Sequence, residues 1–175
     1  PAPAAGCTVV VKPSEFTSAS TIEMVKTLEA AGLPPGVVNV VTGSGADVGA
    51  PLVEHPGVRK IGFTGSDETG RRIGAAAAIG LKRSTLELGG KSPNIVFADA
   101  DLDSAVNGVV SGIFAATGQT CIAGSRLLVQ RSIHDEFVER VAALSGTAVM
   151  GDPADAATQI GPITTPVQLE KVLDH

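Results

Sequence analysis

One cysteine of this sequence stands where a thiol could act as a nucleophile. Cys121 lies in a predicted loop, after Gly118 breaks a helix that ends near Ala116 and before a strand that begins at Arg126. A thiol held between rigid elements suits covalent attack on an electrophilic carbon. The alternative is a small buried hydrophobic residue, the commoner role of a single cysteine. Cys7, at the entry to a predicted buried strand, fits that alternative better.

One glutamate could supply the base that such chemistry needs. Glu87 lies between Leu86 and Leu88 near the end of a predicted buried strand, where an unpaired carboxylate is costly. Partial burial would raise its basicity into the range useful for a general base at neutral pH. The alternative is an ion pair with Arg83 or Lys91.

The histidines offer no competing chemistry. His55, His134 and His175 have no evident partner in the sequence, and they lack metal-ligand spacing with the two cysteines. The sequence therefore predicts neither a Cys–His hydrolase nor a zinc site.

Two glycine-rich loops each join a predicted strand to a helix. Gly43–Gly49 reads G-x-G-x-x-x-G, one residue longer than the usual dinucleotide fingerprint, and Gly65–Gly70 reads G-x-x-x-x-G. Glycine lets the backbone approach a pyrophosphate, and the helix N-terminus offers free N–H groups. The alternative for both loops is a tight turn without a ligand. In the second loop Asp67 and Glu68 would repel a phosphate, but they would also stabilise the helix start.

The elements that position these residues alternate between strands and helices. The predicted strands are Thr8–Val11, Val37–Val41, Val58–Thr64, Arg83–Leu88, Asn94–Phe97 and Arg126–Gln130. The predicted helices run from Ser18 or Ser20 to Ala31, then over Ala46–His55, Glu68–Ile79, Asp101–Ala116, Ile133–Leu144 and, with Thr165 as N-cap, Pro166–His175. Such alternation with apolar strands predicts an α/β fold with a parallel sheet covered on both faces. Gly89 and Gly90 suit a crossing between lobes, which places a domain boundary nearby.

Composition excludes several classes of protein. The chain has 175 residues, 43% of them hydrophobic and 18% charged, so it can form a real core, which the scarcity of aromatic residues makes aliphatic. The net charge is −5 and the basic residues are scattered, which argues against a nucleic-acid partner. We find neither a signal peptide nor an apolar run of about 18 residues or more, so we expect no membrane partner. Two cysteines without a disulfide framework favour a reducing, cytoplasmic location.

Four segments in order resemble the aldehyde dehydrogenase superfamily, along essentially the whole chain. They are Gly6–Glu15 (GCTVVVKPSE), Phe63–Ser66 (FTGS), Leu86–Asn94 (LELGGKSPN) and Gly118–Cys121 (GQTC). The resemblance implies a Rossmann-like, parallel-sheet cofactor domain over residues 1–86, followed over residues 87–175 by the start of an α/β catalytic domain. It also implies oxidation of a small-molecule aldehyde to a carboxylic acid with NAD, or NADP, as hydride acceptor.

The resemblance assigns catalytic roles to two residues. Cys121 would attack the aldehyde as a thiolate, and its backbone N–H would help to hold the oxyanion. The thiohemiacetal would lose a hydride to become a thioester, and Glu87 would activate the water that hydrolyses it. Related enzymes that pass the acyl group to coenzyme A or phosphate, or that work as reductases, remain an alternative. So does a non-catalytic binding or structural protein on the same fold.

The resemblance also assigns residues to the cofactor. Lys12 and Glu15 would bind the adenosine ribose, and Glu15 favours NAD because a carboxylate repels the 2′-phosphate of NADP. The backbone carbonyl of Leu88 would contact the carboxamide. The other implied cofactor residues are Ser14, Gly45 near the adenine end, and Gly65, Ser66 and Gly70 around the pyrophosphate.

The sequence departs from the family pattern in two respects. Asp67 occupies a loop position where the family often has Thr. The upstream Asn of the oxyanion hole, the downstream Glu for the second ribose and the oligomerisation hairpin have no counterparts here. We therefore expect this chain to be an internal piece of a longer, homo-oligomeric protein, and to be weakly active or inactive alone.

Overall fold

The computed structural model of the chain describes residues 1–174, so the predicted helix end at His175 lies outside the described residues. The chain forms two compact units, Pro1–Glu87 and Leu88–His175. In both units short strands alternate with helices. The predicted α/β class is therefore confirmed.

The first unit contains two pairs of strands. Strand β1 pairs in parallel with β2, with Val9 opposite Val38, and β3 pairs with β4. The elements of this part of the chain are β1 (Val9–Val11), α1 (Ser18–Ala30), β2 (Val38–Val40), α2 (Ala50–Glu54), β3 (Lys60–Gly65), α3 (Asp67–Ile79) and β4 (Arg83–Leu88). Each glycine loop thus follows the carboxyl end of a strand, as the sequence predicts.

The prediction that the first strand is buried is wrong. Val9 and Val11 are half-buried, whereas Val10 between them is 45% exposed. Alternate residues of a strand face opposite sides of the sheet. The alternating exposure therefore means that only one face of β1 is covered by the described residues.

The second unit is built around one parallel strand pair. Strand β5 runs beside β6, with Pro93 opposite Arg126 and Val96 opposite Val129. The elements are β5 (Pro93–Val96), α4 (Leu102–Phe114), β6 (Arg126–Val129), α5 (His134–Ser145) and α6 (Pro166–Leu173). A short 3-10 helix, Ala115–Gly118, follows α4 directly and leads into the segment that carries Cys121.

The core of the second unit is mostly aliphatic, as the scarcity of aromatic residues predicts, with one exception. Val96 of β5, Val106 and Val109 of α4 and Phe137 of α5 form one buried cluster. Phe137 has no exposed surface and is the largest fully buried side chain among the described residues. It therefore joins the strand pair to both helices.

We expect Phe137→Ala to destabilise the chain strongly. Truncating a fully buried Phe removes its apolar contacts and leaves a cavity, which costs about 3–5 kcal/mol in the free energy of unfolding. Urea unfolding of the two proteins would measure the difference. Phe97→Ala is the matched control, because Phe97 is 62% exposed and its removal leaves no buried cavity. Equal destabilisation by the two changes would contradict the assignment of the core.

Helix α4 begins with an aspartate cap. Asp101 Oδ1 accepts a hydrogen bond from the backbone N–H of Ser104 at 2.8 Å. This backbone hydrogen bond, together with one from the Ser104 side chain, lowers the pKa of Asp101 below its ordinary value of 3.8. The cap thus favours the ionised carboxylate in the folded chain.

We expect the Asp101 cap to make α4 sensitive to acid. Because folding lowers the pKa of Asp101, its contribution is complete above the unfolded value and is lost as the pH falls through the folded value. Asp101→Asn still caps the helix but cannot ionise, so its stability should change less between pH 5 and pH 2. Urea midpoints measured across that range would show it. Asp99→Asn is the control, and an identical pH dependence for Asp101→Asn and wild type would count against the cap.

Candidate active site

Cys121 lies on an exposed turn between α4 and β6. The turn is closed by a hydrogen bond from the Ala123 N–H to the carbonyl of Thr120, at 3.1 Å. The Cys121 thiol is free and exposed, while Ala123, two residues on, is buried. The turn therefore presents the Cys121 thiol to solvent, while the buried Ala123 fixes the end of the turn in the second unit.

Three consecutive residues ahead of the nucleophile adopt left-handed backbone conformations. The φ angles are 48° at Ala116, 56° at Thr117 and 72° at Gly118. Glycine takes this conformation freely, but alanine and threonine each do so at a cost of about 1–2 kcal/mol. A side chain at Gly118 would also place its Cβ 3.2 Å from the carbonyl oxygen of Ile113. Such strain persists only where surrounding contacts hold it, and it is common at active sites.

Two backbone N–H groups at the turn are available to a ligand. Within residues 1–174, neither the N–H of Cys121 nor that of Ile122 donates a hydrogen bond. A free N–H beside a thiol can stabilise negative charge on an oxygen bonded to the carbon that the sulfur attacks. The local backbone thus fits the oxyanion role predicted for Cys121.

Glu87 is exposed, so the prediction that this carboxylate is buried is wrong. Leu86 and Leu88 are half-buried, but Glu87 between them faces the other side of β4. In the described part of the chain Glu87 forms no salt bridge with Arg83 or Lys91. Its carboxylate is open to solvent. Glu87 ends the first unit, and Cys121 belongs to the second.

The other cysteine is not a buried hydrophobic residue as predicted. Cys7 is a free and exposed thiol that lies between the left-handed Gly6, at φ 79°, and β1. Of the histidines, His55 Nδ1 accepts from the Gly57 N–H at 3.1 Å and His134 Nδ1 lies 2.8 Å from Asp135. Neither is hydrogen-bonded to a cysteine, and His175 lies outside the described residues.

Lys12 ties the end of β1 to the first glycine loop. Its Nζ donates to the carbonyls of Gly43, at 2.9 Å, and Pro13, at 2.7 Å. The Glu15 carboxylate lies 3.8 Å from the same Nζ and is exposed. The structure therefore brings Lys12, Glu15 and the Gly43–Gly49 loop together. Ser14 is exposed between them, and its carbonyl accepts from the Ser18 hydroxyl at 2.9 Å.

The first glycine loop opens a helix, but not the regular one predicted over Ala46–His55. Gly45–Gly49 forms a π-helical turn, and α2 starts only at Ala50. Ser44 caps this turn, because its Oγ accepts from the Asp47 N–H at 3.0 Å. Gly49 lies against Lys12, since a Cβ there would be 3.6 Å from Lys12 Cδ.

The second glycine loop places a capped helix directly after β3. Ser66 is the N-cap of α3, with its Oγ accepting from the Thr69 N–H at 3.3 Å. A Cβ at Gly65 would lie 2.5 Å from the Phe63 ring, so only glycine fits there without a shift. Gly70 is buried in the first turns of the helix. This arrangement leaves bare backbone at the start of α3, as a pyrophosphate contact requires.

The two acids at the start of α3 are paired with arginines. Asp67 lies 3.6 Å from Arg71, and Glu68 lies 2.6 Å from Arg72, each one helical turn along. These exposed pairs offset the local negative charge that the sequence alone shows. Asp67 is therefore less unfavourable to an anion at this loop than its charge suggests.

Sequence reasoning missed a long-range contact of the nucleophile turn. The Gln119 side chain accepts a hydrogen bond from the backbone N–H of Thr164, at 3.2 Å, across 45 residues. Gln119 is part of the Gly118–Cys121 motif, but nothing in the sequence pattern indicates a partner near Thr164.

The described residues show neither a metal site nor a membrane-spanning helix. Among residues 1–174, no cluster of His, Cys, Asp and Glu has the arrangement of a metal site. None of the described helices combines the length and the apolar character that crossing a membrane requires.

The whole chain matches a known protein family. The sequence profile described as "Aldehyde dehydrogenase family" matches residues 1–175. The chain belongs to the aldehyde dehydrogenase family. The sequence resemblance is thus confirmed.

Individual relatives are similar over nearly all of the chain. The (Z)-2-((N-methylformamido)methylene)-5-hydroxybutyrolactone dehydrogenase of Acinetobacter baylyi is 52% identical over 172 residues, which are 98% of this chain and 35% of that protein. The crystal structure of a putative aldehyde dehydrogenase from Burkholderia cenocepacia is 53% identical, with a TM-score of 0.95 over 99% of this chain and 35% of that one.

A third relative was solved with a cofactor. PnpE, in complex with nicotinamide adenine dinucleotide, is 50% identical, with a TM-score of 0.92 over 95% of this chain and 34% of that one. The crystal structure of PnpE from Pseudomonas sp. WBC-3 is likewise 50% identical, with a TM-score of 0.92. The chain thus spans about a third of the length of the relatives that it matches.

Proposed function

We propose that the protein oxidises an aldehyde to a carboxylic acid with NAD, or NADP, as hydride acceptor. The observation that carries this proposal is the exposed Cys121 thiol, on a strained turn with free backbone N–H groups, in an aldehyde dehydrogenase. A reactive thiol, rather than a structural one, is what such exposure on a held turn favours.

Cys121 forms the covalent bond in this proposal. Its thiolate attacks the carbonyl carbon, and the Cys121 N–H stabilises the oxyanion of the resulting thiohemiacetal. Loss of a hydride from that carbon leaves a thioester on the sulfur. Glu87 takes a proton from water as the water attacks the thioester, which releases the acid and restores the thiol.

The first unit holds all but one of the residues proposed for the cofactor, and the exception, Leu88, begins the second unit. When bound, the nicotinamide accepts the hydride. Lys12 and Glu15 bind the adenosine ribose beside the Gly43–Gly49 loop, with Ser14 and Gly45 in the same region. Gly65, Ser66 and Gly70 receive the pyrophosphate at the start of α3. The backbone carbonyl of Leu88 contacts the carboxamide.

The proposed roles divide the chain into two parts. Residues 1–86 are the NAD-binding part, and residues 87–175 carry the nucleophile. The bare backbone at Gly65 and the pairing of Asp67 and Glu68 with arginines support the cofactor role of the first part. The Cys121 turn supports the catalytic role of the second.

The proposed chemistry also suggests the cellular location and the partners of the protein. A nucleophilic thiol must stay reduced, and both cysteines are free, which favours the cytoplasm. The substrate is a small-molecule aldehyde, and no nucleic-acid or membrane partner is proposed. The protein is proposed to work as a homo-oligomer.

The proposal is tested by NADH formation. The natural protein that carries this sequence is mixed with NAD and a panel of aliphatic, aromatic and cationic aldehydes, and absorbance at the NADH band is followed. We expect NADH and the matching carboxylic acid in equal amounts. An acyl-CoA formed when coenzyme A is supplied would instead support the acyl-transferring alternative. The same panel is run with NADP, and absence of both NADH and NADPH with every aldehyde would refute the proposal.

A further inference from the structure

The carboxamide of Gln119 joins the nucleophile turn to a distant segment of the same unit. Its Oε1 accepts from the Thr164 N–H at 3.2 Å, and its Nε2 donates to the Thr117 hydroxyl. Gln119 is half-buried; its bond to Thr117 is partly shielded from water, whereas its bond to the exposed Thr164 is open to solvent. Both polar ends of the side chain are therefore engaged, one toward each segment.

The hydrogen bonds continue from Gln119 into the strained backbone. The Thr117 hydroxyl donates to the carbonyl of Ala116 at 2.6 Å, and the backbone N–H of Gln119 donates to the same carbonyl at 3.1 Å. Ala116 and Thr117 are the two non-glycine residues of this turn with left-handed φ angles. The Gln119 side chain thus contacts the part of the turn that is costly to maintain.

The other end of the link is anchored at a helix start. Thr164 directly precedes Thr165, the N-cap of α6, whose Oγ1 accepts from the Gln168 N–H at 3.2 Å. A backbone N–H beside a capped helix is a fixed donor. Gln119 can therefore transmit the position of the Thr164 segment to the turn two residues before Cys121.

We propose that Gln119 is a positioning residue for Cys121. Its carboxamide holds the left-handed turn at residues 116–118. The conformation of that turn then sets the positions of the Cys121 thiol and of the free Cys121 N–H. This inference rests on the proposed function of Cys121 as nucleophile. Gln119 itself takes no part in bond making.

The test compares Gln119→Ala and Gln119→Met in the natural protein. Both changes remove the two hydrogen bonds, but Met keeps the length and most of the volume of the side chain. Because misplacing a reacting group by about 1 Å costs on the order of a hundredfold in rate, we expect kcat to fall about 10- to 100-fold in both variants. We expect KM for NAD and for the aldehyde to change little, since neither is bound by Gln119.

A matched control is available in the same unit. Gln159 Oε1 also accepts a hydrogen bond from a backbone N–H, that of Val149, at 3.0 Å. Because this hydrogen bond does not involve the Cys121 turn, Gln159→Ala should leave kcat unchanged. Recovery of kcat by Met would show that packing, and not the amide, matters, and would overturn the proposal. So would a kcat in Gln119→Ala equal to that of Gln159→Ala.

A second pair of variants tests the route through Thr117. Thr117→Ser keeps the hydroxyl and should retain activity, whereas Thr117→Val loses it and should lower kcat as Gln119→Ala does. The double variant Gln119→Ala with Thr117→Val should be little worse than either single one, because both remove one connected network. Losses in kcat that add fully in the double variant would contradict the hydrogen-bonded link between Gln119 and Thr117.

One readout stays valid if the wild-type protein oxidises no aldehyde and the proposed function fails. The alkylation rates of Cys121 and Cys7 are measured by peptide mass spectrometry in one sample, with the exposed Cys7 as internal reference. We expect the ratio of the two rates to change in Gln119→Ala and Gln119→Met but not in Gln159→Ala. An unchanged ratio in all three would overturn the positioning role.

Discussion

Cys121→Ala is expected to abolish aldehyde-dependent NADH formation. Without the sulfur no thiohemiacetal forms, so no carbon is placed to lose a hydride, and loss of a nucleophile lowers turnover by about a thousandfold or more. Steady-state assays with NAD and the best aldehyde of the panel would measure the loss. NAD binding, followed by fluorescence quenching or calorimetry, should persist, because none of the proposed cofactor residues is changed.

The matched control for this prediction is Cys7→Ala. Cys7 is also a free and exposed thiol, but it lies ahead of β1 in the first unit. Turnover in Cys7→Ala should equal that of the wild type. Equal loss of turnover in the two variants, or full turnover in Cys121→Ala, would assign the chemistry to another group.

Glu87→Gln is expected to slow hydrolysis of the thioester without slowing the loss of the hydride. Glutamine has nearly the same shape as glutamate but cannot take a proton from water. The first turnover should still produce a burst of about one NADH per Cys121, after which hydrolysis of the thioester becomes slow. Since a general base contributes about 10²- to 10⁴-fold, steady-state turnover should fall by that order. Stopped-flow absorbance and trapping of the acyl-protein by mass spectrometry would measure both phases.

Glu29→Gln is the control for Glu87→Gln. Glu29 is an exposed glutamate of α1 in the same unit and has no proposed role, so its replacement should leave burst and steady state unchanged. Loss of the burst itself in Glu87→Gln would contradict the assignment, because it would mean that Glu87 acts before hydride loss.

Much of the fold follows from local sequence signals. Glycines and apolar runs predict the alternation of strands and helices, and the acidic start at Asp101 and the N-cap Thr165 predict helix starts that the structure confirms. The α/β class could be predicted for this reason. The π-helical turn at Gly45–Gly49 could not, because its glycines allow several backbone conformations and packing selects among them.

The error in the predicted burial of Glu87 has a simple physical origin. Leu86 and Leu88 suggested a buried environment for Glu87, yet neighbours along a strand face opposite sides, so they indicate an exposed Glu87 instead. Strand periodicity, applied residue by residue, would have given the observed exposure. The assignments of Cys121, Glu87 and the cofactor residues came from their order in known motifs and stay predictions.

The hydrogen bond between Gln119 and Thr164 lay beyond any local pattern. A side-chain amide has donors and an acceptor that can reach many partners, and the sequence does not say which segment 45 residues away returns to meet it. Likewise, no pattern predicts that alanine and threonine adopt left-handed φ angles ahead of Cys121. Tertiary contacts determine both features.

The left-handed conformation at Ala116 and Thr117 also bears on how this protein could evolve or be redesigned. Glycine, which normally weakens a folded chain, would relieve the backbone at Ala116, so selection for heat resistance alone would favour it there. The same exchange would widen the range of conformations open to the segment before Cys121. At Ala116 a change that raises thermal stability is thus expected to lower catalytic precision. Libraries screened for stability should therefore be screened for turnover as well.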